Sequence, residues 1–390
     1  MSSSTLNIPA EHHQAAIYLH IPFCKTKCLY CSFNSHAGRD AEIAGYLQAL
    51  NSHIRSMADH PWCRSHSFFS LYIGGGTPTI CDASLLNQLI TNCLAAFSFC
   101  QEPEITVESN PNTLSSAKLQ ALRVAGVNRL SIGVQSFSPA RLKCLGRSHT
   151  AEDAVLALTM ARDAGFSNIN IDLMYGLPGQ TADEWQQTLE QAISLAPEHF
   201  SLYELMVEEK TPLAALVAGG QYQLPPEDEV ADMEAVTIGL LASRGYERYE
   251  ISNYALPGFT CRHNINYWQN RSWLGFGAGA VGSLSGTKVT NVADPLVYTQ
   301  RINSKEEPYS EMECLSRQAL FRETVIMGLR MLAGVSLQDL EDRFSLNPMD
   351  YYGATLQTLL AQGLVLLDNG FLRLSSQALP IADRVLAELV

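Results

Sequence analysis

Apolar residues recur through the first half of the chain in short runs. Each run is followed by a longer stretch whose apolar positions fall three or four apart. The runs are residues 15–23, 68–73, 104–108, 129–135, 168–174 and 199–207. Runs of this length, bounded by Gly, Pro, Ser or Asn, predict strands. The stretches between them predict helices near 40–57, 83–97, 115–125, 138–144, 151–164 and 181–195. In 40–57, Ile43, Tyr46, Leu47, Leu50 and Ile54 share one face. Gly126 and Gly165 stand where two of the helices should stop. Six strand–helix alternations predict a parallel sheet with helices outside it. The strands read as near-continuous apolar runs, as when both faces are covered. The expected class is therefore α/β, a partial (βα)6 relative of the eight-fold barrel. In such folds functional residues gather at the C-terminal ends of strands.

Beyond residue 210 the alternation is lost. A helix is expected over 227–244, then a Gly- and aromatic-rich segment over 245–286. A polar linker is expected near 303–313. Helices follow near 315–331, 336–343 and 348–362. The apolar runs 364–367 and 371–374 flank Asn369-Gly370, a strong hairpin signal. Helices followed by a hairpin predict a C-terminal winged-helix-like module. The expected organisation is a disordered N-terminus (1–14), a (βα)6 core (15–210), a barrel extension (211–305) and the C-terminal domain (306–390).

The chain has 390 residues, 46% of them hydrophobic, enough for more than one sizeable core. Its formal net charge is −13. That balance argues against an electrostatic nucleic-acid binder and against a polybasic membrane anchor. Met1 to Gln14 have no apolar signal-like core, and no stretch reaches the length of a spanning helix. The expected setting is the reducing cytoplasm. Peripheral membrane contact and a homodimer stay open.

The sharpest chemistry lies directly after the first strand. Cys24, Cys28 and Cys31 form a C-x3-C-x2-C loop. Thiolates are the usual protein ligands of iron–sulfur clusters. Three on one loop can hold three irons of a [4Fe–4S] cube and leave the fourth open to a chelating ligand. The competing reading is a zinc site completed by His20 or His36. The remaining cysteines Cys63, Cys81, Cys93, Cys100, Cys144 and Cys314 read as packing residues. Gly74-Gly75-Gly76-Thr77-Pro78 follows the second strand, where glycines let backbone approach a ligand closely. Glu108, Gln135 and Asp172 each close an apolar strand. A buried carboxylate such as Asp172 needs a partner, either Arg129, Arg147 or a ligand. The Arg147 guanidinium suits a carboxylate.

The cysteine loop in this setting resembles the radical S-adenosylmethionine (SAM) superfamily. With Tyr18-Leu19-His20-Ile21-Pro22-Phe23, Gly74–Thr79, Ser131–Ser136 and Asp172–Gly179, the chain is similar to the oxygen-independent coproporphyrinogen oxidase group. That resemblance implies a [4Fe–4S] cluster on Cys24, Cys28 and Cys31. It also implies SAM contacts from Tyr18, Gly75, Gly76, Thr77, Glu108, Gln135, Arg147 and Asp172. The oxidases carry one more cysteine two places beyond the third; here Phe33 stands there. Cys261-Arg262-His263-Asn264-Ile265-Asn266-Tyr267-Trp268 carries an H-N-x-x-Y-W pattern like that of the HemW subgroup of haem chaperones. That likeness implies a haem carrier serving respiratory haem proteins, with His263 as iron ligand and Tyr267 and Trp268 as flat surfaces for the macrocycle. The alternative is coproporphyrinogen III decarboxylation on the same SAM site.

Overall fold

The computed structural model describes residues 14–390. The expected disordered N-terminus lies outside the described residues except for Gln14, which opens the first strand. Six strands are mutually parallel in chain order: β1 (Gln14–Ile21), β2 (Ser67–Gly75), β3 (Phe99–Ser109), β4 (Arg129–Gln135), β5 (Ile169–Tyr175) and β6 (His199–Glu204). Helices cross between them, among them α1 (Ile43–Ala58), α2 (Ala83–Ala96), α3 (Ser116–Val124), α4 (Pro139–Cys144), α5 (Ala151–Asp163) and α6 (Ala182–Ser194). Asp82, Ser115, Thr150 and Thr181 cap four of them through side-chain acceptors. Gly126 and Gly165 adopt positive φ of 97° and 85°, ending two helices as a left-handed residue does.

The strands are buried on both faces, but the two faces differ. Ile17, Leu19, Leu71, Ile73, Ile105, Val107, Leu130, Ile132, Ile169, Ile171, Phe200 and Leu202 pack into the main core beneath the helices. The alternate positions line the inside of the barrel and are polar: Tyr18, Ser70, Tyr72, Glu104, Thr106, Glu108, Arg129, Ser131, Asn170, Asp172, His199 and Ser201. The expectation of a uniformly apolar strand therefore gives way to a period of two. Burying that polar lining requires partners for each group, and hydrogen bonds supply most of them. Arg129 Nε and Thr106 Oγ1 are exceptions, with no partner.

The extension re-enters the same sheet. The Gly- and aromatic-rich segment supplies β7 (Asn253–Ala255), antiparallel to β6, and β8 (Trp273–Phe276), parallel to β1. From β8 the sheet continues antiparallel through β9 (Val281–Leu284), β10 (Thr287–Asn291) and β11 (Tyr309–Cys314). The expected polar linker thus contains an exposed edge strand. Its alternation of Glu311, Met312 and Glu313 carries no apolar face and hid it from periodicity. Cys314, expected to pack, is exposed there. Helices in this region include α7 (Glu227–Ser243) and α8 (Arg262–Trp268).

The C-terminal part has its own core of Phe321, Val325, Leu340, Leu356, Val365, Leu372 and Leu374. It contains α9 (Arg317–Gly328) and a hairpin of β12 (Val365–Asp368) and β13 (Phe371–Leu374). The helix expected over 348–362 is broken into Pro348–Tyr352 and Ala354–Ala361 by Gly353, at φ 51°. Among the described residues no helix is long and apolar enough to cross a membrane.

Candidate functional site at the C-terminal mouth of the barrel

The chain leaves β1 at Pro22, and buried Phe23 anchors the loop edge-on against Tyr46, 5.2 Å between ring centroids. The cysteines follow on a loop tied from three sides. Leu29 N donates to Leu145 O at 3.0 Å, Leu213 N donates to Leu29 O at 2.9 Å, and Lys27 Nζ donates to Ser35 O at 3.1 Å. The glycine-rich turn after β2 docks on the start of this loop: Gly76 N reaches Ile21 O and Thr77 N reaches Phe23 O, at 2.9 and 2.8 Å. A Cβ on Gly76 would lie 2.6 Å from Phe23 O and 2.9 Å from Cys24 Sγ. Only glycine allows that approach.

A polar chain runs from one cysteine to another. Thr77 Oγ1 donates to Cys24 Sγ at 3.6 Å and accepts from Asn110 Nδ2 at 2.9 Å. Arg147 Nη2 donates to Asn110 Oδ1 at 2.7 Å and to Gly133 O, while its Nη1 lies 3.5 Å from Cys28 Sγ. Gln135 ends β4 at φ 64°, a left-handed turn that folds its side chain back beside Gly133. A Cβ on Gly133 would stand 3.1–3.3 Å from Gln135 Nε2, Asn110 Oδ1 and Arg147 Nη2. Asn110 was not among the expected site residues. Its position between a strand end and Pro111 was the available signal.

Glu108 holds the other side. Its carboxylate accepts from Tyr72 Oη at 2.8 Å and from Gly75 N at 3.1 Å. Burial pushes its pKa up to about 7, reinforced by Asp172 and opposed by these hydrogen bonds. Asp172 lies three residues inside β5, not at its end. It accepts from Asn170 Nδ2 at 2.6 Å and Ser131 Oγ at 3.2 Å, so neither Arg129 nor Arg147 is its hydrogen-bond partner. Tyr18, half-buried, bonds His20 Nδ1 at 2.8 Å.

His20 Nε2 lies 2.9 Å from Asn34 O, and His36 Nε2 lies 3.2 Å from Asn34 Oδ1. Both histidines expected to complete a zinc site are thus engaged elsewhere. The three thiols are not closed around one ion: among the described residues no three His, Cys, Asp or Glu side chains are gathered tightly enough for that.

His263 is placed differently from the other expected residues. It lies on α8, which plugs the opposite, N-terminal mouth. Glu104 draws that helix in, accepting from His263 N and Arg262 N at 3.0 Å each and from Cys261 Sγ at 3.4 Å. The His263 ring points into the barrel and is 1% exposed. Its Nδ1 lies 2.9 Å from Ser70 Oγ and its Nε2 2.9 Å from Tyr267 Oη, and it stacks on Tyr72 at 5.0 Å. Burial, with Arg129 nearby, lowers its pKa to about 3. The imidazole is neutral but both nitrogens are taken, so this conformation offers no lone pair to iron. Tyr267 packs on Trp273, and Arg330 covers Trp268. Both rings remain partly exposed.

Residues 18–192 match the radical SAM superfamily and residues 315–381 match the HemN C-terminal domain. The heme chaperone HemW of Bacillus subtilis is 36% identical, over 89% of this chain and 92% of that protein. The heme chaperone HemW of Escherichia coli is 38% identical, over 69% of this chain and 70% of that one. The chain belongs to the HemW family. Among solved structures, coproporphyrinogen III oxidase (HemN) from E. coli, a radical SAM enzyme, superposes with a TM-score of 0.83 at 26% identity, covering 97% of this chain and 90% of that one. Membership implies a [4Fe–4S] cluster and SAM. The donor set fits: three thiols on one restrained loop, a glycine cradle against Cys24 and a guanidinium beside Cys28. In the radical SAM superfamily such a cluster, when bound, supplies the electron for SAM chemistry. Cys24, Cys28 and Cys31 are the residues that would hold the cluster, with Arg147 beside Cys28 and Glu108 tied to the glycine turn.

Proposed function

We propose that this protein is a haem chaperone, taking up haem and passing it to haem-requiring respiratory proteins. In this reading Cys24, Cys28 and Cys31 hold the cluster. Tyr18, Gly75, Gly76, Thr77, Glu108, Gln135, Arg147 and Asp172 surround SAM. The observation that carries the reading is likeness to the heme chaperones named HemW over nine-tenths of the chain. His263 serves as iron ligand only if its ring gives up its bonds to Ser70 and Tyr267. The anaerobic, cluster-loaded protein titrated with haem should develop a Soret band and then lose it to an apo-haem protein. Absence of binding would refute the chaperone reading. The second reading, coproporphyrinogen III oxidation, rests on the close superposition with HemN. Catalytic turnover of coproporphyrinogen III would establish it instead.

A further inference from the structure

The outer face of α8 builds a cleft that the reading above does not use. Helical periodicity sends His263 and Tyr267 into the barrel, so Arg262, Ile265, Asn266 and Gln269 share the other side. With Gln14 and Phe69, from the N-terminal parts of β1 and β2, and Arg271 just beyond the helix, they line a cleft of about 440 Å³. That volume falls within the range of small-molecule and cofactor sites. The Arg262 guanidinium lies over the Phe69 ring, 5.4 Å from its centroid, and spends one N–H on Glu102 O. Arg271 gives Nη2 to Asp339 and Nε to Gln269 Oε1. Asp339 also pairs with Arg343, so cations outnumber the carboxylate at this end of the cleft. Two arginines lining one opening stand out in a chain with 39 acidic and 26 basic residues.

We propose that this cleft binds a tetrapyrrole by its carboxylate-bearing edge. Arg262 and Arg271 take the two carboxylates, and Phe69 and Ile265 meet the flat ring. Guanidinium forks match carboxylates, and the aromatic and aliphatic walls match the macrocycle. No lining residue is a histidine, cysteine, methionine or tyrosine, so the cleft grips the porphyrin and not its metal. The inference rests on the haem-chaperone reading and adds where the cargo sits: outside the barrel mouth, across α8 from His263.

The test is a titration of the full-length, cluster-loaded protein with haem, metal-free protoporphyrin IX and haem dimethyl ester, followed by absorbance and tryptophan quenching. Haem and protoporphyrin IX should bind within about threefold of each other. The ester should bind at least about tenfold more weakly. The Arg262→Gln/Arg271→Gln double variant should lose haem affinity to the level of the ester and discriminate no further between them. Equal binding of ester and free acid by the wild type overturns the proposal without any variant. So does rejection of the metal-free porphyrin, or undiminished haem affinity in a folded double variant. In those outcomes haem binding itself stands. A wild type that binds no haem removes the cleft and the chaperone reading together.

Discussion

The two mouths of the barrel are built in opposite ways. At the C-terminal mouth, polar side chains and glycines gather at and beyond the strand ends. Their hydrogen bonds run sideways, from Cys24 through Thr77, Asn110 and Arg147 to Cys28. At the N-terminal mouth a helix from far along the chain closes the opening, and its bonds run inward to Glu104 and Ser70. One end is a frame of sideways bonds, and the other is a plug. The polar lining joins them: Asn170 bonds Asp172 on one side and His199 on the other, and His199 bonds Tyr249, whose hydroxyl accepts from Cys261 N. A helix that carries a motif can therefore use its named residues to hold itself in place, leaving its unnamed face free for a ligand.

The comparison can be broken most sharply at the frame. Cys28→Ser should abolish the cluster, read as loss of bound iron and sulfide after anaerobic reconstitution, while the plugged mouth keeps its fold. Retention of a full cluster would refute the assignment of that thiol.

At the plug, Glu104→Ala leaves three donors without their acceptor and should cost about 3 kcal/mol of unfolding free energy, seen as a lower denaturation midpoint with iron content unchanged. A variant as stable as the wild type would mean that Glu104 does not anchor α8.

A third test uses acid. The His263 pKa is about 3 in the folded chain against an ordinary 6.5. Its stabilising contribution is present above 6.5 and lost as pH falls, because the unfolded imidazole takes a proton that the folded one refuses. Relative to His263→Gln, the wild type should lose about 1.4 kcal/mol per pH unit between 6.5 and 3. Parallel stability curves for the two proteins would show that His263 is not buried as described.

The smallest effect is expected at Asn110→Ala, which cuts the chain between Thr77 and Arg147. A loss of about 1 kcal/mol, with weaker SAM binding, would sharpen the picture of a frame held by sideways bonds. Unaltered SAM affinity would place Asn110 outside it.

Much of the frame was legible before any coordinates. Cys24, Cys28, Cys31 and Gly74–Gly76 are close in sequence to strand ends, so each βα unit delivers them to the same mouth. Asn110 was harder to see because nothing local distinguishes it from a turn residue. The plug was legible as a motif but not as a geometry. The H-N-x-x-Y-W pattern says nothing about which helix face turns inward, and Glu104, which decides it, lies about 160 residues earlier in the chain.

Local order fixed the parallel barrel, the open cysteine loop and the glycine cradle, because period, spacing and backbone freedom are properties of neighbouring residues. Long-range packing alone decided which strand face turns inward, that 309–314 is an edge strand and that His263 faces inward. Those outcomes depend on which buried donors and acceptors meet across the barrel interior, and such pairing exists only once distant segments have come together.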